Sequence, residues 1–385
     1  MKGTTMELTE ARNKINDIDS QIVDLFCKRM ETALEIAKIK KKEGLPVENN
    51  KREKEILYNV SKATGKDLET YTRLVFNTLF DVSRSYQSRY LSEPGKLAEK
   101  IREAIEKTPK IFPEKASVAC QGVSGSYSEA ACEKLFTIPS IMYFNTFESV
   151  FNAVDKGLCE YGILPIENSS YGSVSAVYDL MRNYNFHIVR STRLHISHCL
   201  LASPGTKLED VKEIFSHEQA LGQCDDFLKG LDGVKITACS NTVEAAKTVA
   251  ESDRKDIAAI ASKDCIELYN LKVLESNIQM TDNNYTRFIC ISKDLEIYPG
   301  ASRISLMLSL QHKPSSLYHM IGKFSSLGLN LVKLESRPIP GSDFEFMFYF
   351  DIEASIYSEE LVDLLGQLND GPETFVFLGS YSEVI

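Results

Sequence analysis

At 385 residues the chain is longer than one ordinary core supports, so two or three domains are expected. Its 43% hydrophobic and 25% charged residues exclude a disordered chain, and no window offers the roughly 18 apolar residues of a membrane span. A net charge of −10 argues against nucleic acid as the main partner. The charge is uneven: residues 1–91 hold 17 Lys/Arg against 14 Asp/Glu, leaving 27 against 40 elsewhere. The N-terminal part therefore suits a small anionic ligand. Mixed polar residues from Met1 to Asn16 lack a signal-peptide pattern. Nine scattered cysteines, without CxxC or zinc spacing, read as reduced thiols of a cytoplasmic protein.

The first element is a predicted helix from Leu8 to about Lys42. Leu8, Ile15, Ile22 and Ile36 recur every seven residues, with Ala11, Ile18, Leu25 and Ile39 as companions. Such a rod spans about 50 Å at roughly 1.5 Å per residue, too long to bury its stripe unless other long helices run beside it. Gly44-Leu45-Pro46 ends it. Asn50-Lys51-Arg52-Glu53 has capping-box form and opens a shorter helix to about Lys62, and a third helix runs from about Leu68 to Tyr90. The long-short-long order predicts an all-α intertwined dimer, or a higher homo-oligomer.

Position 29 continues the stripe of 8, 15, 22 and 36 but holds Arg. A guanidinium there is costly unless an anion meets it. Lys40, eleven residues on, projects from the same face, whereas Arg12 points elsewhere and can serve a partner subunit. Ser83 and Gln87 are i,i+4 neighbours. Periodicity alone leaves open a coiled coil whose Arg29 sets register by pairing with a glutamate. Residues 1–91 resemble the all-helical class of chorismate mutase, through Arg12, Lys28-Arg29, Ala37-Lys38-Ile39-Lys40, Arg52-Glu53, and Ser83 with Gln87. The resemblance implies that Arg29, and Arg12 from the other subunit, hold the two carboxylates of chorismate. It implies that Lys40 and Gln87 hydrogen-bond the ether oxygen whose bond breaks. Arg52, Glu53 and Ser83 would complete the pocket, with Glu53 on the ring hydroxyl. Asn49 stands where the family usually has Asp, and Glu53 supplies a carboxylate nearby. A pericyclic rearrangement needs no nucleophile, only orientation and cations aimed at the ether oxygen.

Residues 92–116, with Pro94, Gly95, Pro109 and Pro113, read as a linker containing one short helix. Strands are then expected at Ser117–Cys120, Gly162–Ile166, Thr192–Ala202 and Ile257–Ala261, alternating with helices in an α/β pattern. The loop Gln121–Glu129, rich in Gly and Ser, should expose backbone N–H groups to a carboxylate at a helix start. Leu164–Ser169 ends a strand with polar groups. Ser216-His217-Glu218-Gln219 has capping-box form, with Ser216 as N-cap, and Gln223 lies one turn beyond Gln219. Asn284-Tyr285-Thr286-Arg287-Phe288 enters a strand. In this order the motifs resemble prephenate dehydratase over roughly residues 117–292.

That resemblance implies a dehydratase domain over 117–296, with two α/β lobes akin to periplasmic binding proteins. One lobe would be about 117–192 plus 274–295, the other about 193–273. Thr286 would donate to the departing ring hydroxyl, and Arg287 would bind a substrate carboxylate. Asn168, Ser216 and Gln223 would hold the substrate, supported by Glu167, Ser169, His217 and Gln219. No metal or organic cofactor is implied. Whether prephenate or arogenate is dehydrated stays open at this point.

Residues 300–385 give strand, helix, two strands, helix, strand, the ferredoxin-like order. The unit resembles an ACT domain, and the resemblance implies L-phenylalanine as effector. Two motifs carry it: Pro314-Ser315-Ser316-Leu317, with serines where the family usually has Gly-Ala, and Glu335-Ser336-Arg337-Pro338. The competing picture is a non-catalytic amino-acid sensor with the same cleft.

Overall fold

The computed structural model describes residues 8–45, 49–91, 95–310, 312–341, 345–369 and 374–385. Pro46 and Pro94, both used above as punctuation, lie outside them. Two compact units are present: Met1–Ala98 with Lys313–Gly328 and Glu360–Pro372, and Glu99–His312 with Leu329–Glu359 and Glu373–Ile385.

The first unit begins with α1 (Leu8–Glu43), α2 (Asn50–Thr64) and α3 (Glu69–Leu91). No Gly or Pro interrupts α1, and Lys40, Lys41 and Lys42 complement the negative end of its dipole. The N-cap of α2 is Asn49, whose side chain accepts from the Arg52 backbone N–H, so the cap sits one residue before the predicted box. Only Met30 and Ala37 of α1 are buried, while Leu8, Ile15, Ile18, Ile22 and Leu25 are each at least half exposed. The predicted stripe exists, and this chain alone does not cover it. α4 (Lys96–Lys107) is the short helix expected in the linker.

The second unit holds β1 (Lys115–Gln121), α5 (Tyr127–Leu135), β2 (Ile138–Phe144), α6 (Phe147–Asp155), β3 (Tyr161–Asn168), β4 (Gly172–Ser173), α7 (Ser175–Met181) and β5 (His187–His195). Then come β6 (Cys199–Ala202), β7 (Glu213–His217), α8 (Glu218–Gln223), α9 (Asp225–Lys229), β8 (Lys235–Cys239), α10 (Thr242–Glu251), β9 (Ile257–Ala261), α11 (Asp264–Tyr269), β10 (Lys272–Ser276) and β11 (Tyr285–Ser292). Last are β12 (Arg303–Ser309), α12 (Ser316–Ser326), β13 (Asn330–Pro338), β14 (Phe346–Glu353), α13 (Glu359–Asn369) and β15 (Phe375–Val384). Helices α12 and α13 fall in the first unit, their strands in the second.

Two sheets form among the described residues. The smaller has the order β10-β6-β9-β7-β8, and its central strand Ile257–Ala261 is buried at every residue, as a strand covered on both faces should be. The larger runs β13-β14-β12-β15-β5-β11-β3-β1-β2, with β4 on β3. The stretch Thr192–Ala202 is therefore not one strand. β5 ends at His195 in the large sheet and β6 starts at Cys199 in the small one, with Ile196-Ser197-His198 crossing between them. The chain returns through 277–284, and the Ile196 N–H donates to the Asn284 carbonyl at 2.7 Å, tying the two crossings together. Because β10 pairs with β6, residues 274–276 lie in the second sheet, not the first.

The sequence did not indicate that the C-terminal strands would continue the large sheet. β15 pairs in parallel with β5, Ser382 opposite Arg190. At the junction Gly379 has φ +145, and a Cβ there would lie 2.2 Å from the Ile188 carbonyl oxygen. Only glycine lets the two strands close to this distance. One apolar core then runs through both parts, joining Phe151, Ile166 and Tyr178 to Met307, Tyr349, Leu378 and Tyr381. Burial of about 1.5–3 kcal/mol per large side chain makes these strands part of the unit's stability.

Candidate active sites

In the helical unit α1 lies along α3. The Arg29 guanidinium donates to the Leu79 carbonyl at 3.2 Å and to the Ser83 hydroxyl, and sits 5.8 Å from the Phe80 ring centroid. No carboxylate is among its contacts within the described residues of this chain. Partial burial lowers the Arg29 pKa. A half-buried cation without a counter-anion is a place for an anionic ligand. Ser83 and Gln87 are both buried, and among the described residues the Gln87 Oε1 has no hydrogen-bond partner. Lys40 is half-buried, and Arg12 is exposed on α1.

Two of the expected pocket residues are engaged otherwise. Arg52 is exposed and pairs with Glu55 at 2.8 Å. Glu53 pairs with Arg84, which also grips Asp81. Arg84 went unnoticed in the sequence because nothing in a helical repeat distinguishes it from a surface arginine. Asn49 is the α2 cap described above, which explains why Asn replaces Asp there without loss of its backbone partner.

In the second unit the motif residues meet at the crossing between the sheets. The Asn168 amide donates to Thr286 Oγ1 at 2.9 Å and to Asn284 Oδ1 at 2.8 Å. Its own Oδ1 accepts from the N–H groups of Ser170 and Tyr171, which fixes the amide's orientation. Asn284 donates onward to Gln223 Oε1 at 3.1 Å, and the same oxygen lies 2.5 Å from His198 Nε2. An amide oxygen only accepts, so His198 carries its proton on Nε2. Burial lowers the His198 pKa, against the smaller opposing effect of Gln223, and favours the neutral ring.

The direction of these bonds decides what Thr286 can do. Its oxygen accepts from Asn168, and its own hydrogen has no acceptor among the described residues. The hydroxyl of Thr286, a residue 8% exposed, is thus set to donate.

The remaining motif residues are placed differently from expectation. Successive residues of a strand point to opposite faces. Arg287 and Glu167 accordingly lie on the other face from Thr286 and Asn168, where the Arg287 guanidinium meets Asp351 at 2.5 Å. The expected clamp on the same molecule as Thr286 is not formed. Ser216 is no N-cap: it is a fully buried residue of β7 whose hydroxyl donates to the Ile260 carbonyl at 2.7 Å. His217 is the cap, its Nδ1 accepting from the Gln219 N–H, while the Gln219 side chain is exposed. Ser169 staples β3 to β11, donating to the Asn283 carbonyl and accepting from the Tyr285 N–H. The Gln121–Glu129 loop keeps its amide for itself: Glu129 accepts from Gly125 N–H and the Ser124 hydroxyl.

Comparison with known families fits this arrangement. The family description "Prephenate dehydratase" matches residues 118–296 and "Chorismate mutase type II" matches residues 11–88. The bifunctional chorismate mutase/prephenate dehydratase of Escherichia coli K12 is 30% identical over 97% of this chain and 96% of its own length. The chain belongs to that bifunctional family. It joins a chorismate mutase and a prephenate dehydratase in one polypeptide. The arogenate dehydratase/prephenate dehydratase 2 of Arabidopsis thaliana is 37% identical over 69% of this chain and 72% of its length. The crystal structure of a prephenate dehydratase from Arthrobacter aurescens in complex with L-Phe aligns with TM-score 0.63 at 27% identity, over 69% of this chain and 89% of that one.

The residues of this hydrogen-bonded network that the motif reading missed are Asn284, used only as a marker, and His198, taken as part of a continuous strand. A histidine just before the apolar run Cys199-Leu200-Leu201-Ala202 was the available signal. In the C-terminal segment Glu335 accepts from Ser173 Oγ at 2.7 Å and Arg337 forms a two-point pair with Asp179 at 3.0 and 2.9 Å, while Ser336 and Pro338 are exposed. Ser315, at the start of α12, has φ +69.

Proposed function

We propose that the mutase segment rearranges chorismate around Arg29, Lys40, Ser83 and Gln87, and that Thr286 is the acid that releases water from prephenate. The observation that carries the second reading is the Asn168–Thr286 bond, which leaves the threonine hydrogen free. As carbon dioxide leaves, its electron pair enters the ring and expels the ring hydroxyl, which takes the Thr286 proton to depart as water. The alkoxide recovers a proton from solvent. Threonine is a weak acid, so aromatisation supplies most of the driving force and the network supplies alignment. A mutase segment that makes prephenate favours prephenate over arogenate as the second substrate.

The C-terminal segment reads as an ACT-type regulatory module that responds to phenylalanine. Its strand order β15-β12-β14-β13 is the ferredoxin-like one, and the Arthrobacter relative was solved with L-Phe. Ser315 takes a left-handed backbone at a cost of about 1 kcal/mol, at the position where a glycine would cost nothing. Chorismate supplied to the full chain should appear as phenylpyruvate, more slowly with phenylalanine present; prephenate accumulating alone would refute the reading. In the same assay Ser315→Gly should be inhibited at lower phenylalanine, and unchanged inhibition would remove Ser315 from the effector's surroundings.

The uncovered stripe of α1 fits a second copy of the chain, which would bring Arg12 to the partner's site. Sedimentation of the full chain should give a dimer or larger; a monomer active as a mutase would end this reading. Among the described residues no helix is long and apolar enough to cross a membrane.

A further inference from the structure

Thr286 and Asn168 have chain neighbours, Arg287 and Glu167, that pair directly across β11 and β3 but face away from the hydroxyl. The ladder is irregular just there: Arg287 opposes Glu167 while Phe288 opposes Pro165, so Ile166 is an extra residue on β3. Such bulges bend and twist a strand, and they re-aim the side chains beside them. Backbone pairing therefore leaves the angle of the Thr286–Asn168 pair incompletely defined at its most sensitive point. Something else must fix it.

What lies behind the bulge is a set of charges contributed by the C-terminal strands. Asp351 of β14 is 7% exposed and Arg287 5%. Asp351 Oδ2 accepts from Arg287 Nη2 at 2.5 Å, and its Oδ1 accepts from the Ser305 hydroxyl at 2.6 Å, which adjoins the Tyr381 hydroxyl at 2.8 Å. Glu167 lies 3.4 Å from the same Arg287 nitrogen, and its other oxygen meets Lys333 Nζ of β13 at 2.8 Å. Lys333 also donates to the Ser173 hydroxyl at 2.9 Å. Burial disfavours the Arg287 charge, but the carboxylates of Asp351 and Glu167 outweigh it and hold the guanidinium charged. Among the described residues Arg287 Nε and Nη1 have no partner. The whole placement of this buried cation thus rests on one nitrogen and two acids, one of them from the C-terminal strands.

Building on the reading of Thr286 and Asn168 as the dehydration centre, we propose that Asp351 and Lys333 are positioning residues of that reaction. They anchor Arg287 and Glu167 on the far face of β11 and β3, and so set the angle of Thr286 and Asn168 on the near face. The ferredoxin-like strands are in this sense part of the dehydratase, beyond any effector they bind. Misplacement of a reacting group by about 1 Å can cost on the order of 100-fold in rate.

The test uses the full chain and both assays. Asp351→Asn should lower the dehydratase kcat by about 100-fold with little change in KM for prephenate, leave chorismate consumption unchanged, and be partly rescued by Asp351→Glu. Lys333→Met should act in the same direction. The double variant Arg287→Met/Asp351→Leu replaces the ion pair with apolar side chains that a core can accept, and thermal unfolding would report whether it folds. If that variant folds and dehydrates at the normal kcat, the ion pair is merely structural and the proposal is overturned. An unchanged kcat in Asp351→Asn overturns it too, as does a loss of activity that only tracks the folded fraction. Thr286→Ala separates the two ideas: if it stays active the centre itself is wrong, whereas an inactive Thr286→Ala beside a fully active Asp351→Asn rejects the positioning role alone.

Discussion

Thr286→Ala should remove dehydration of prephenate while chorismate consumption by the same preparation is unaffected. The expected loss is about 10²–10⁴-fold in kcat, the usual contribution of one positioned acid. The structural basis is the one-way order of the bonds: Asn168 is held by two backbone N–H groups and gives its own hydrogens to Thr286 and Asn284. Alanine removes the hydroxyl whose hydrogen has no acceptor among the described residues. Asn168 would then lose one acceptor, which it can replace with water, so folding should survive and circular dichroism should be unchanged. Thr286→Ser keeps the hydroxyl and should keep much of the activity, whereas Thr286→Val keeps the shape and should not. Product analysis from supplied prephenate would decide it. Phenylpyruvate formed at the normal rate by Thr286→Val would exclude the hydroxyl as the acid.

Much of this arrangement was legible in the sequence, and the failures have physical causes. The three helices of the mutase segment follow from a heptad stripe, from Gly44 and from the polar start of α2, all local signals. Thr286, Asn168 and Gln223 were legible as a group, because a family motif names residues even when geometry is unknown. The motif could not say on which face each would lie. Arg287 follows Thr286 directly, and strand alternation sends it to the opposite face and to Asp351. A long-range acidic partner 64 residues away leaves no local trace. Ser216 looked like a cap because Ser-x-x-Gln satisfies the pattern, yet β7 extends to His217 and buries the serine. Likewise Thr192–Ala202 mixes Leu194, Ile196 and Cys199-Leu200-Leu201 with Arg193, His195 and His198, and composition alone does not mark the point where a chain leaves one sheet for another. The joining of β15 to β5 depends on Gly379 and on chain ends far apart in sequence.

Arg29→Ala should give the converse phenotype: chorismate consumption falls by about 10²–10³-fold, the order expected when one fixed electrostatic partner is removed, while supplied prephenate is still dehydrated. The guanidinium is half-buried between Leu79 and Ser83, 5.8 Å from the Phe80 ring centroid, and meets no carboxylate among the described residues. Among the described residues its compensation is a carbonyl and a hydroxyl, dipoles that orient it without neutralising it. In the proposed reading the dianionic substrate would supply the missing charge, and a rearrangement without proton transfer depends on that orientation. The charge alone is not enough. Arg29→Lys keeps it on a compact ammonium, but loses the planar guanidinium whose remaining N–H groups can meet a carboxylate two-pronged while Nη1 holds Leu79 and Ser83, so it should rescue poorly. Were Arg29 a mere packing residue, lysine and methionine would behave alike and both would leave chorismate turnover near normal. Should Arg29→Ala instead depress both activities equally, the two sites could not be independent, and the division of labour between the helical and the two-lobed parts of this chain would have to be abandoned.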